Sequence, residues 1–285
     1  MNTQTQTQTH IDAHQHYWDP ARGDYGWLTP EMKPLYRVFG PDDLAPLRKA
    51  TGIARTIVVQ AAPTVDETRY LLDLARADDS IAGVVGWVPL DSIDAASIID
   101  ELAREPKFKA VRPMLQDLPD DAWIEHAPRA DAVERLIDLD LAFDALIFAR
   151  HVPSIVTFAG RYPKLRIVVD HGAKPPIRDG VEGWQPWADG IAQLAALPQN
   201  LRCKLSGLAT ESKENWRDET LKPYVAHLLE HFGAQRLMWG SDWPVLNLNG
   251  NYRDWHATAQ NLTSHLEKAD QDAIFGGNAR AFYRI

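Results

Sequence analysis

Cysteine is almost missing from this chain of 285 residues: the single one, Cys203, has no partner within the chain, which excludes an internal disulfide framework. A lone cysteine fits a reducing compartment, so a cytoplasmic location is expected and Cys203 reads as a small buried apolar residue. No uninterrupted run of about 18 apolar residues occurs, so no membrane-spanning helix is expected. The opening MNTQTQTQTH has neither the charged start nor the apolar stretch of a secretory signal. Residues 1–9 are expected to form a disordered tail and residues 10–285 a single domain. Basic charge is also short. With 30 Lys and Arg against 39 Asp and Glu the net charge is −9, and the cations are scattered, which argues against a nucleic-acid partner. An acidic ligand would therefore need a local basic pocket. No G-x-G-x-x-G follows an early strand-like run, which weakens a dinucleotide-binding open sheet.

What is present is a repeated alternation. Eight short runs rich in Val, Ile, Leu and aromatics, at 10–16, 54–62, 81–90, 107–115, 140–148, 165–172, 200–208 and 236–242, are each bounded by turn residues and read as strands. Segments with helical apolar spacing lie between them. The clearest, TVDETRYLLDLARADD, offers Thr64 as the cap, with Glu67 three residues later to complete a capping box. Runs such as TIVVQ and RIVVD do not alternate, as expected of strands covered on both faces of a parallel sheet. Eight such units close most economically into an α/β fold of the (β/α)8 TIM-barrel type. The stretch 17–40, rich in Gly, Pro and aromatics, is too long for an ordinary turn, and such loops are usually functional. Of the ten tryptophans, Trp18, Trp27, Trp184, Trp187 and Trp243 sit beside Gly, Pro or Asp and read as loop positions suited to a ligand pocket.

The active site of a β/α barrel lies at the carboxyl ends of its strands. The first run ends in IDAHQH, and alternation along a strand sends His14 and His16 to one side, the arrangement two imidazoles need to grip one ion. The second ends in Gln60, the fourth in Arg112, the sixth in His171 and the eighth in Asp242, while the fifth holds Asp144 and the seventh offers Lys204 and Ser206. Singly each is weak evidence. Together they would meet at one barrel mouth.

This pattern, His-x-His on strand 1, His on strand 6 and Asp on strand 8, resembles the amidohydrolase superfamily. The stretches IDAHQHYWDPARGDYGWL, VVQAAPTVDET, GVVGWVPLD, VVDHGAKP, KLSGL, MWGSDWPV and GGNARAFYR look like its lactonase branch, with HYWDP…DYGWL nearest to the L-fuconolactonase-like members. The resemblance implies a barrel that opens a sugar lactone, L-fuconolactone or a related aldonolactone, to the hydroxy acid. It casts Asp242 as the residue that activates water, with His171 as a further catalytic group; Arg112, a cation at a strand end, is expected to be catalytic by its charge, as a partner for the negative oxygen that forms on the carbonyl. It casts His14 and His16, together with His171 and Asp242, as ligands of one divalent metal, zinc for preference, or as substrate-orienting groups if the reaction needs no metal. The fifth run, LAFDALIF, lacks the histidine of two-metal relatives, and Lys109 lies short of the fourth strand's end, so a binuclear centre is not expected. Trp18, Tyr25, Trp27 and Trp243 are expected to wall the pocket, and Lys204 to sit near the product carboxylate. The competing readings are a metal-dependent decarboxylase on the same barrel and a non-catalytic sugar-acid binding protein. The sequence leaves a homo-oligomer open.

Overall fold

The computed structural model describes residues 10–198 and 201–285; the segment 1–9, expected to be a disordered tail, lies outside the described residues. Strands β1 (Ile11–Gln15), β2 (Arg55–Val59), β3 (Ile81–Gly86), β4 (Phe108–Val111), β5 (Ala142–Ala145), β6 (Arg166–Val169), β7 (Arg202–Leu205) and β8 (Leu237–Trp239) form one parallel sheet in sequential order. Each lies inside one of the eight strand-like runs. The circle is completed where Asp242 N donates to His14 O and His16 N donates to Trp243 O, both at 2.7 Å. The result is the expected (β/α)8 barrel, and the open-sheet alternative is set aside.

Helices α1 (Pro41–Thr51), α2 (Val65–Ala77), α3 (Ala95–Leu102), α4 (Ala130–Asp138), α5 (Val152–Arg161), α6 (Val181–Ala195), α7 (Asp218–Phe232), α8 (Tyr252–Thr263) and α9 (Asn278–Tyr283) cover the outside and one end of the barrel. Helix α2 shows why: Thr68, Leu71, Leu72 and Ala75 recur at helical spacing and are buried against the sheet. Thr64 Oγ1 accepts from Glu67 N at 3.1 Å, as expected of the cap. The other half of the capping box does not form. The Glu67 carboxylate turns inward to accept the N–H groups of Ala61 and Ala62, at 2.9 and 2.7 Å, at the carboxyl end of β2. Helix α6 begins well before the periodic stretch ADGIAQLAAL and contains Trp184 and Trp187, which are helix residues and not loop residues. Gly183 and Pro186 disfavour a helix locally, but burial of Trp187, Ile191 and Leu194 overrides them. Among the described residues, no helix is long and apolar enough to cross a membrane.

The barrel interior is layered. Ile11, Ala13, Ile57, Val59, Ala82, Val85, Ala110, Ala142, Val168 and Met238 form one apolar cluster with Phe282 and Tyr283, which α9 folds against them. The larger cluster lies between sheet and helices. Barrel closure is tight at one point: a Cβ on Gly240 would lie 2.6 Å from His14 Cβ and 3.0 Å from His14 N. Only glycine lets β8 come this close to β1. Gly240→Ala is therefore expected to destabilise the fold by about 1–3 kcal/mol, read as a lower urea midpoint with an unchanged slope. A midpoint equal to that of the unaltered protein would mean that the two strands have room to spare.

Candidate active site

Two residues beyond the apolar layer the lumen changes character. Ala110 is followed inward by Arg112, Ala142 by Asp144, Val168 by Asp170 and Met238 by Gly240 and then Asp242, while β7 contributes Lys204 at the same level; all five charged residues are buried. Period-two alternation makes each of these an inward position. On β1 the alternation is interrupted by a register shift between Asp12 and Gln15. Asp12 faces the outer helices, where it accepts from Tyr252 Oη at 3.0 Å, Ser241 N at 2.8 Å and His14 N at 3.1 Å. The expected simple alternation would have put Asp12 on the same side as His14. Tethered outside by Tyr252, Asp12 holds the irregular turn of backbone that sends His14 into the lumen.

His14, His16, His171 and Asp242 converge. The two Nε2 atoms of His14 and His16 are 3.2 Å apart, and Asp242 Oδ1 lies 3.3 Å from His16 Nε2 and 3.8 Å from the Nε2 atoms of both His14 and His171. Burial raises the Asp242 carboxyl, but His171, His16 and His14 together outweigh it and hold the group below the ordinary carboxylate range. Burial pushes His171 down to about 4, and burial with the Lys204 charge pushes His14 well below the usual imidazole value. His16 Nδ1 donates to Val59 O at 2.7 Å, which leaves its Nε2 lone pair facing the cluster. A tetrahedral ion with ligand bonds of about 2.0–2.1 Å holds its ligands about 3.3 Å apart. The spacings of His14, His16 and Asp242 fit one divalent cation. Charge agrees, because Asp144, Asp170 and Asp242 outnumber the buried cations Lys204 and Arg112.

Both acidic and basic members of this site stand on strained backbone. Asp242 has φ +59°, and His171, Gly172, Ala173 and Lys174 form a left-handed turn with φ of +54°, +57°, +57° and +50°. For non-glycine residues this costs of order 1 kcal/mol or more each. The turn is held by Ser206, whose Oγ shares a 2.8 Å hydrogen bond with His171 Nδ1, and by Gly207, where a Cβ would lie 2.7 Å from the His171 ring. The KLSGL stretch thus serves as a seat for His171.

Beneath the histidines lies an ion lattice. Lys204 Nζ is 2.5 Å from Asp144 Oδ2, 2.9 Å from Asp170 Oδ1 and 3.1 Å from His14 Nδ1, with no exposure to solvent. Tyr283 Oη donates to the same Asp144 oxygen at 2.8 Å. Arg112 is committed in the same way: its Nε donates to Gln60 Oε1 at 2.8 Å, its Nη2 to Gln60 O and Oε1, and its Nη1 faces Asp170 Oδ2 at 3.3 Å. Lys109, by contrast, points away, with Nζ donating to Arg284 O.

The cavity above this cluster has a volume of about 180 Å³ and is lined by His16, Trp27, Ala61, Arg112, Met114, Gln116, Asp117, Leu146, His171, Lys174, Asp242 and Val245. Larger clefts of 680 and 740 Å³ lie along α7 and α8 but hold none of the strand-end residues. Of the four expected wall residues only Trp27 lines the cavity, with Nε1 donating to Ala61 O at 2.7 Å. The expectation for Trp18, Tyr25 and Trp243 is corrected. Trp18 is fully buried behind Trp27, ring edge to face at 5.3 Å, and its Nε1 donates to Leu35 O. Trp243 packs on Phe39 at 5.2 Å, and Tyr25 is buried within the loop. The stretch 17–40 folds back on itself through paired hydrogen bonds between Trp18 and Phe39, so its aromatics form their own core and present one of them outward. Lys204 does not reach the cavity either, because its ammonium is spent inside the lattice. Sequence reasoning passed over Asp170, Lys174, Gln116 and the inward role of Glu67. Asp170 was detectable as the next inward position after Val168. Lys174 was not, because only the left-handed turn brings it to the mouth.

Comparison with known proteins places this geometry. The chain is 48% identical over 279 residues to the L-fucono-1,5-lactonase of Burkholderia ambifaria, covering 96% of this chain and 95% of that one. It is 36% identical over 288 residues to the L-fucono-1,5-lactonase of Burkholderia multivorans, covering 96% of each. A crystal structure of an amidohydrolase from Burkholderia multivorans with bound zinc superposes with a TM-score of 0.90 at 35% identity, covering 97% of this chain and 99% of that one. The amidohydrolase family model matches residues 11–285, and the chain belongs to the amidohydrolase family.

Proposed function

We propose that the chain hydrolyses a sugar lactone, L-fuconolactone or a related aldonolactone, to the open hydroxy acid. One observation carries this reading: the buried Asp242 carboxylate meets three imidazoles at the floor of a cavity sized for a single small ring. The names of the two lactonase relatives support the substrate class.

In this reading the Asp242 carboxylate takes a proton from water as the water oxygen forms its bond to the lactone carbonyl carbon. His171 and His16, each close to Asp242, orient that water and keep the carboxylate aimed. The negative charge that builds on the carbonyl oxygen needs a positive or hydrogen-bonding partner. The bond from the carbonyl carbon to the ring oxygen then breaks, and the proton held by Asp242 passes to that oxygen as the leaving alcohol. One water is consumed and one carboxylic acid is made. His14, His16 and Asp242 are the residues that would hold a divalent ion, zinc by the match of two imidazoles and a carboxylate, and such an ion would supply Lewis-acid charge beside the carbonyl oxygen. Trp27 offers a flat apolar face to the carbon side of the sugar ring.

Two outcomes are expected. Asp242→Asn keeps the shape of the side chain but cannot accept the proton, so kcat on L-fuconolactone should fall by about 10²–10⁴ while the thermal midpoint stays near its original value. A variant with full activity would sink the role given to Asp242. Exhaustive treatment with a chelator, followed by elemental analysis and assay, should remove about one equivalent of zinc and most activity, with recovery on adding zinc back. Undiminished turnover by protein shown to be metal-free would leave the histidines with an orienting role only.

A further inference from the structure

The lattice has used up both cations that the sequence singles out at the strand ends, Lys204 and Arg112. Arg112 gives its Nε and Nη2 to Gln60 and its Nη1 to Asp170, so it has little left to offer a ligand. A second cation, Lys174, lines the same cavity and has no part in the lattice. Its Nζ donates to Gln116 Oε1 at 2.8 Å, lies 3.5 Å from Glu211 Oε1 and sits 5.3 Å above the Phe148 ring. An ammonium carries three donors, so these contacts orient the group without exhausting it.

Position gives this cation its meaning. Asp242 and His16 enter the cavity from the ends of β8 and β1. Gln116, Phe148 and Lys174 come from the loops after β4, β5 and β6, and Gln116 and Phe148 lie on the opposite side of the circle. A ring whose carbonyl faces Asp242 therefore presents its far carbons to Lys174 and Gln116. The strained turn explains how one loop serves both ends: His171 opens it and is aimed at Asp242, while Lys174 closes it about 6 Å further along, the rise of one tight helical turn. Residues three apart in such a turn project to the same side.

We propose that Lys174, set by Gln116, is the specificity-determining residue for ring hydroxyls: it donates to a hydroxyl on the far side of the lactone ring and so selects polyhydroxylated lactones over unsubstituted ones. Lys174 supplies the donor, and Asp117, whose Oδ2 accepts from Gln116 Nε2 at 3.3 Å, supplies an acceptor at the same end. This rests on the lactonase reading of the cavity but concerns a different part of it.

The test compares L-fucono-1,5-lactone with δ-valerolactone, a six-membered ring with no hydroxyl. In Lys174→Met and Lys174→Gln the ratio of kcat/KM for the two lactones should fall by about tenfold or more, as for the loss of a hydrogen bond to a charged group, with most of the change in KM for the hydroxylated ring. Glu211→Gln, which removes the ion pair and keeps the ammonium, should hold the ratio within about threefold. An unchanged ratio in both Lys174 variants overturns the proposal. So does an equal drop on both lactones, or a drop in Glu211→Gln as large as in the Lys174 variants, since either marks a loop tie and not a substrate contact. If the unaltered protein opens neither lactone, the lactonase reading fails by itself, and calorimetric binding of L-fuconate decides about Lys174. Binding that weakens about tenfold in Lys174→Met supports the hydroxyl contact; binding that is equal in both proteins, or absent from the unaltered one, overturns it.

Discussion

An ammonium without solvent, wedged between two carboxylates and an imidazole, is the constraint on which this barrel's mouth depends. Lys204 touches Asp144, Asp170 and His14 at hydrogen-bonding distance and has no exposure. The interior desolvates each of these groups at a cost of several kcal/mol, and their mutual attraction offsets it only while the geometry holds. Asp144 shows the balance: burial pushes its carboxyl up to about 6, against the pull of Lys204 and the hydrogen bond from Tyr283. Asp170 is drawn the other way, below its ordinary range, because burial is outweighed by Lys204, His14 and Arg112 together. Strands β4, β5, β6 and β7 are thereby locked to one another through side chains as well as through their ladders. The histidines above rest on that platform.

The same logic explains why the site is rigid where the sequence is locally unfavourable. Asp242 and His171 occupy left-handed backbone that neither residue prefers. Such strain persists only when the surroundings over-determine it. For Asp242 the surroundings are the His14 carbonyl that accepts its N–H and the close approach of Gly240 to β1. For His171 they are Ser206, Gly207 and the Trp187 indole, whose Nε1 donates to Gly172 O at 2.6 Å. Two aimed side chains are thus bought with stability drawn from the barrel around them.

The barrel and its carboxyl-end cluster were legible because both follow from periodicity. Eight buried runs separated by amphipathic segments have few economical closures, and an inward position at a strand end can be counted from an inward position within the strand. Val168 to Asp170 and Ala142 to Asp144 are such steps. Three features were illegible for physical reasons. The register shift at Asp12 breaks the count locally, and the cause, Tyr252, lies 240 residues away in sequence. The aromatic loop 17–40 looked like a row of pocket walls, but aromatics can bury against one another as readily as against a ligand, and Trp18, Phe39 and Trp243 do so. Lys204 and Arg112 looked like free cations because charge in a sequence carries no sign of how it is neutralised.

That last point bears on how the cavity divides its labour. A barrel mouth contains many charges, yet a charge can act on substrate only if its own neighbours leave a donor or acceptor unspent. By that measure the lumen separates into two tiers. Lys204, Asp144, Asp170 and Arg112 are held by one another and by Gln60 and Tyr283, and of these four Arg112 alone borders the cavity, with most of its donors already committed. Asp242, His16, His171 and Lys174 keep capacity facing the cavity. Glu67 belongs with the first tier although it stands on a helix: by accepting the Ala61 and Ala62 N–H groups it fixes the peptide whose carbonyl, at Ala61, anchors Trp27, next to the Gln60 that holds Arg112. The first tier is what allows the second to be small: one carboxylate, two imidazoles and one ammonium face the cavity, on a scaffold that the other charges hold.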